Sequence, residues 1–494
     1  MTTSPADTPG HQVRYDLAVL GAGPAGLAAA VAAAAAGARV ALVDEGARTG
    51  GQYWRHRPGD NGARHPGRPV LQRLRDGLAA HADRIDHLAG HTVWHVERSG
   101  SDAQTPDRRG DFTTYTVSGG AGRDGAERTV VSRAVVVATG AYDRQLPFPG
   151  WTVPGVLTAG AAQALLKGHG VLAGRRIVVA GTGPFLLAVA AGLAEAGARV
   201  PGVYEAGLPT AFARHPLALA GNPAKLAEGA GFLRTLARHR VPYRTRTAVI
   251  AAHGTDEVTG VTLARLDARW RTVPGSERRL ECDTLAVGHG FTPQIEIPLQ
   301  LGCATRRDAD GSLVAVADTR QLSTVPGVYL AGEVCGVGGA AQSVVEGELA
   351  GLHAAFTTVG TRPGAAAVRR LLRRRAAGRR FATALHAAYP VRPGWLEWLR
   401  PDTVVCRCEE VTVEAVEAAV TDLGATSARA VKLYARPGMG LCQGRVCGYA
   451  TTCLVADRTG REPTEEDLRS LSGRPIAQPL SLGTLAAGHH PTPP

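Results

Sequence analysis

Unbroken apolar runs that end in glycine-rich turns recur along this chain. Asp16 to Leu20 reads DLAVL, a buried strand, and GAGPAG follows at once. Alanine-rich sequence then predicts a helix as far as Ala36, stopped by Gly37, a natural C-cap residue. A second apolar run, ARVALV, ends in Asp44-Glu45. The same order returns from Arg176 as IVVAGTGPFLLAVAAGLAEAGARVPGVYEA, a strand, a glycine turn and a helix. Further runs close on glycine at AVVVATG and at VYLAGE. Strands alternating with helices in this way predict an α/β chain built on parallel sheets.

Beyond Thr361-Arg362-Pro363-Gly364 the pattern changes. VRRLLRRRAAGRRF, Val368 to Phe381, predicts a basic helix with an apolar Leu371–Leu372 seam, either a solvated linker or a face for an acidic partner. Pro390, Pro393 and Pro401 mark a turn region. A strand-like VVCRC follows, then helices from Thr412 to Leu423 and from Ser427 to about Tyr434, then RPGMGLCQGRVCG. The expected organisation is a nucleotide-binding domain in two parts, 14–155 and 281–360, with an inserted domain at 156–280. A basic linker at 361–400, a cysteine module at 401–475 and a tail at 476–494 complete it.

A length of 494 residues suits about three such units. The net charge of +12 could suggest nucleic acid, but only Lys167, Lys225 and Lys432 are lysines, and aromatic content is 5%. Arginine with abundant alanine and glycine, and no aromatic stripe, reads as coding bias rather than a nucleic-acid surface. MTTSPADTPGHQVR has no apolar leader, and Leu27 to Ala36 is too short to span a bilayer. Of eight cysteines, Cys282, Cys303, Cys335 and Cys453 are scattered, a reduced, intracellular pattern that points to the cytoplasm.

In the first unit Gly21 permits a tight turn, Gly23 lets backbone approach a pyrophosphate, and Gly26 lets the helix pack on its strand. Asp44 has the favoured register for a ribose, with Glu45 beside it. The paired glycines of Thr49-Gly50-Gly51-Gln52 let the chain pass close to a bound cofactor. In the second unit Gly181 and Gly183 fit the same motif and Glu205 stands at the strand end. Leu186, however, holds the third glycine position, against close helix–strand approach. NAD(P), another adenine nucleotide held structurally, and an empty scaffold all remain open there.

Cys406, Cys408, Cys442 and Cys447 form two close pairs, CRC and CQGRVC, with 33 residues between Cys408 and Cys442. Four thiolates in this arrangement suit a 2Fe–2S cluster or a structural zinc. Gly438, Gly440 and Gly444 free backbone N–H groups to approach thiolate or sulfide, and Arg407, Lys432, Arg436 and Arg445 could offset the charge. No cysteine follows the TGG turn, so no redox dithiol accompanies the nucleotide sites. Cys335 and His289 read best as structural.

These motifs resemble the two-dinucleotide-domain flavoprotein superfamily that includes glutathione and thioredoxin reductases. The resemblance implies FAD in the first site, with Thr139-Gly140 beside it, Glu333 after Gly332 at the ribityl chain, and an inserted NAD(P)-binding-like domain. It also aims the helix starting near Gly339 or Ala340 at the flavin's pyrimidine edge. Family members place Asp at the position of Glu333, one methylene shorter. The cysteine module resembles the bacterioferritin-associated-ferredoxin-like 2Fe–2S domain, with C-x4-C in place of its closing C-x2-C. Across about residues 14 to 475 the chain is similar to alpha subunits of opine oxidases, hydrogen cyanide synthase and hydroxyproline dehydrogenases. Sarcosine oxidase alpha subunits are similar but lack the cysteines. The resemblance implies an FAD- and 2Fe–2S-dependent oxidoreductase acting on CH–NH donors with a D-amino-acid-oxidase-like beta subunit. The rivals are a self-sufficient NAD(P)H-dependent reductase and a non-enzymatic iron–sulfur sensor.

Overall fold

The computed structural model describes residues 13–57, 59–60, 65, 67–98, 111–119 and 125–488. The N-terminal stretch without an apolar leader therefore lies, to residue 12, outside the described residues, as does the end of the tail. The first apolar runs become the centre of a seven-stranded sheet. Its order is Ile85–Ala89, Val40–Asp44, Arg14–Leu20, Glu127–Val137, Phe112–Ser118 and His91–Arg98, with Val328–Leu330 also paired to Glu127–Val137. The strands nearest the nucleotide motif are parallel, and the outer pair returns antiparallel. Parallel strands buried on both faces must be apolar throughout, as VALV and AVVV are.

Two helices cover one face, and their closeness is a matter of side-chain size. Pro24–Ala35 packs along Ala340–Val359, and Cβ atoms on Gly347 and Gly351 would lie 2.0 and 2.2 Å from the carbonyl oxygens of Ala25 and Ala29. Any larger residue there would push apart two helices that meet backbone to backbone.

The chain leaves this domain through Ala141–Asp143 and returns through Phe291–Pro293, which pair as a short antiparallel ribbon. Between them lies a second, all-parallel sheet, ordered Tyr243–Thr245, Val203–Glu205, Ile177–Gly181, Thr284–Gly288, Val156–Thr158. Thr284–Gly288 falls past the expected edge at residue 280; its VGHG run completes the second sheet before the chain turns back. A three-stranded antiparallel sheet, Thr247–His253, Gly260–Arg265 and Arg278–Glu281, seals one face of it.

The expected linker is a helix of 24 residues, Ala365–Ala388, and half of it is structural. Leu371 packs with Val345 and Leu349, and Phe381 meets Phe212 of the inserted domain edge to face at 5.4 Å. The cysteine module then docks onto the inserted domain through tryptophans. Trp398 stacks on Trp270 at 6.3 Å and donates its indole N–H to the Trp270 carbonyl, while Trp151 donates to Val404. No helix among the described residues is long and apolar enough to cross a membrane.

Candidate functional site

Three glycine-bearing segments converge at the N-terminus of helix Pro24–Ala35. Gly21 bonds to Val43 O, Ala138 to Leu20 O, and Gly50 to Ala22 O, so the GAGPAG, ATG and TGG segments are tied to one another. Gly51 lies against Gly23: a Cβ on Gly51 would be 2.9 Å from the Gly23 Cα. Gly26 is required by packing, because a Cβ there would meet Gly21 O at 1.7 Å. Gly23 is different. Its backbone is extended (φ −75°, ψ −171°), and a Cβ would find no protein atom nearer than 4.0 Å. Neither conformation nor protein packing demands glycine here; the space it leaves lies over a helix N-terminus, where a pyrophosphate fits.

Asp44, expected at the ribose, is engaged by the turn itself. One carboxylate oxygen accepts the Ala22 N–H at 2.5 Å and the other the Gly46 N–H at 2.7 Å, so the side chain braces the turn. Glu45, the next residue, is the exposed acid at this strand end, with Arg55 and Arg445 acting on its charge. Gln52 is exposed, while Gly50 and Gly51 both hold positive φ in the turn. Thr139 donates its hydroxyl to Gln294 O, and Gly140 O accepts from Gln294 N–H, which fixes the ATG segment against the returning strand.

Gly332 opens a short 3-10 turn, and Glu333 points inward from it. One Glu333 oxygen accepts the Gly339 N–H at 3.1 Å, and burial raises its pKa. This turn is clamped by residues that linear reading did not single out. Glu346 is fully buried and accepts from Gly332 N–H, from Gln342 and, at 2.6 Å on each oxygen, from Arg379 of the long basic helix. Arg379 also donates to Gly336 O at 2.7 Å. Arginines spaced along a polar helix carry no linear mark of which face turns inward, so nothing in the sequence distinguished Arg379 from its solvated neighbours.

The second glycine turn is braced in the same way, by a longer and more deeply buried acid. Glu205 is fully buried, with one oxygen accepting from the Thr182 hydroxyl and Gly207 N–H, both at 2.7 Å, and the other from Gly183 N–H at 2.8 Å. Burial outweighs these donors and pushes its pKa up to about 7. Gly181 sits so close to Gly288 that a Cβ would lie 1.8 Å from its carbonyl oxygen. Leu186 occupies the core between this helix and the sheet. The expected ribose acid and the expected phosphate-facing N–H of Gly183 thus bond to each other.

Cys406 lies beside Cys447, and Cys408 beside Cys442. Yet no three of the four sulfurs fall within 4.8 Å of one another among the described residues. Zn–S bonds of about 2.3 Å would put every sulfur pair of a tetrahedron about 3.8 Å apart. Two close pairs held apart fit one iron per pair, in a two-iron cluster, and not a single tetrahedral ion. Cys447 as donor, and backbone N–H groups of Gly438, Glu409 and Cys408, push the Cys406 pKa down to about 5. Burial pushes Cys335 up to about 12 and Cys453 up to about 11, so these stay thiols. His289, buried with Nδ1 unpartnered, is held neutral, its pKa lowered to about 3 by burial and Arg144.

Arg445, inside the CQGRVC loop, ties this centre to the first domain. Its Nε meets Tyr142 Oη and Glu296 Oε1, both at 2.9 Å, its Nη1 donates to Cys442 O, and its Nη2 to Ala477 O. Tyr142 lies two residues after Gly140. A second strut is buried Arg144, paired with Asp310 at 2.8 Å and lying 4.4 Å over the Tyr449 ring. Arg436 instead pairs with Glu409, and Arg407 is exposed.

Residues 15–356 match the pyridine nucleotide-disulphide oxidoreductase family, and residues 404–457 match the BFD-like [2Fe-2S] binding domain. An opine oxidase subunit of Agrobacterium tumefaciens (strain Ach5) is 34% identical over 96% of this chain and 91% of its own length. Hydrogen cyanide synthase subunit HcnB of Pseudomonas aeruginosa PAO1 is 34% identical over 95% and 99%. The alpha subunit of sarcosine oxidase from Corynebacterium sp. (strain P-1) is 29% identical over 98% of this chain and 46% of its own. Among solved structures, L-proline dehydrogenase from P. horikoshii shares the fold, with TM-score 0.69 and 21% identity over 96% of this chain and 79% of that one. A flavin cradle and a two-pair cysteine centre joined in one polypeptide agree with these matches: the chain is an FAD- and 2Fe–2S-dependent oxidoreductase and belongs to the family of HcnB and the opine oxidase subunit.

Proposed function

We propose that this chain is the electron-transfer subunit of a hetero-oligomeric amine or imino-acid dehydrogenase, serving opine-, hydroxyproline- or glycine-like donors. A D-amino-acid-oxidase-like beta subunit carries out substrate oxidation in this reading. Bound FAD exchanges electrons in pairs and a 2Fe–2S cluster exchanges them singly, so the two together can hand paired electrons to a one-electron acceptor. The residues of this chain bind and position both. The Gly23 gap receives the pyrophosphate, Glu45 the ribose hydroxyls, and Glu333 the ribityl chain. Thr139-Gly140 flanks the ring, and Cys406, Cys408, Cys442 and Cys447 hold the irons.

The observation that carries this reading is the Arg445–Tyr142 contact, which locks the cysteine loop to the strand leaving the ATG turn. Two further features support it. No paired cysteine lies beside the flavin cradle among the described residues, and the third glycine position of the second turn is held by buried Leu186. In this reading NAD(P)H is not the electron source. The test is anaerobic: the isolated chain is mixed with NADH or NADPH, then with an amine donor in the presence of the beta subunit. Bleaching of the flavin only in the second mixture is expected. Rapid bleaching of the isolated chain by either nicotinamide would overturn the reading.

A further inference from the structure

Behind the CQGRVC loop sits a half-buried arginine, two of its nitrogens fully enclosed, that neither its neighbours nor any motif explains. Arg474 follows helix Glu465–Ser472, and its Nη2 donates to Leu471 O at 2.6 Å. Its Nε and Nη1 are buried and have no hydrogen-bond partner. Its guanidinium presses on the loop between the two cysteines: a Cβ on Gly444 would lie 3.2 Å from Nη2. Gly444 in turn packs on Gly438, whose own Cβ position lies 3.9 Å from Cys447 Sγ. The nearest strong acid, Glu296, is already paired with Arg445 at 2.9 Å.

A guanidinium with two enclosed, unpartnered nitrogens beside a second arginine is costly on its own. Four thiolates around two irons, with bridging sulfides, make a net negative group, and reduction adds one more negative charge. A cation fixed at this loop stabilises the reduced form more than the oxidised form. We infer that Arg474 is the internal counter-charge of the cluster, raising its reduction potential so that it accepts electrons from within this chain. Arg474 touches the loop rather than a reacting atom and so acts as a positioning and tuning residue. The inference rests on the 2Fe–2S assignment.

The test is a redox titration of the purified holoprotein followed by electron paramagnetic resonance, in wild type, Arg474→Gln and Arg474→Lys. The expected result is a cluster potential shifted downward in Arg474→Gln and close to wild type in Arg474→Lys, with the resonance line shape kept. An unchanged or raised potential in Arg474→Gln overturns the inference. Should Arg474→Gln fail to take up the cluster, loading of Arg474→Lys at wild-type potential supports the charge; failure of Arg474→Lys as well assigns Arg474 to packing and overturns it. A wild-type protein without a 2Fe–2S signal would instead reject the cluster assignment itself.

Discussion

Gly23 and Gly26 stand three residues apart and answer to different partners. Gly26 is dictated by the protein, whose Gly21 carbonyl occupies the place of a side chain. Gly23 is left open by the protein. Gly23→Val should therefore fold, with a denaturation midpoint near wild type, and lose flavin absorbance; normal flavin loading would reject the cradle. Glu205 gives a pH signature of its own. Its folded pKa, about 7, lies above the ordinary 4.5, so the folded form keeps a proton that the unfolded chain releases. Stability from this group is full below about pH 4.5 and is lost as pH rises toward 7, by about 3 kcal/mol. Denaturant melts at pH 5 and pH 8 should show this fall in wild type and lack it in Glu205→Gln. A parallel fall in both would place the titration elsewhere.

Among elements, the long basic helix departs most from its linear reading. Its outward arginines are solvated as expected, but Arg379 and Leu371 bind it to the helix that carries Glu346 and so to the Gly332-Glu333 turn. Arg379→Ala strips buried Glu346 of its bidentate partner and leaves Arg375, 3.8 Å away, as its remaining counter-charge, a loss of about 3 kcal/mol. It should also speed FAD release, read as flavin fluorescence regained on dilution; retention at the wild-type rate would detach this helix from the cradle. Strand–glycine–helix order was legible because close packing and cofactor approach both force glycine at fixed offsets. The paired cysteines were legible because metal ligation fixes residue type. That Asp44 rather than Glu45 braces the loop was not legible, because strand register alone does not say which of two adjacent acids turns inward. Arg379, Tyr142 and Arg474 were not marked as members of the site, and Arg445 was marked only as a counter-charge, since each contact spans a long sequence separation and no local pattern selects it. Trp151, Trp270 and Trp398 escaped for the same reason, although three tryptophans in an aromatic-poor chain were a usable signal for a buried interface.

The whole molecule is three folded units held around one short path. The ribbon of Ala141–Asp143 and Phe291–Pro293 sets the inserted domain on the first, the tryptophans set the cysteine module on the inserted domain, and Arg445 closes the ring back to Tyr142. Cutting that closure with Arg445→Gln should keep both cofactors while slowing electron exchange between them, measured by stopped-flow bleaching of flavin against cluster. Equal rates would show that the contact carries no coupling. The cofactor content of the purified chain tests the joined flavin and two-iron centres most directly. Anaerobic metal and flavin analysis of wild type and Cys408→Ser should find two irons for each FAD in the first, and FAD with iron lost in the second. One zinc per chain, or a colourless protein, would contradict it.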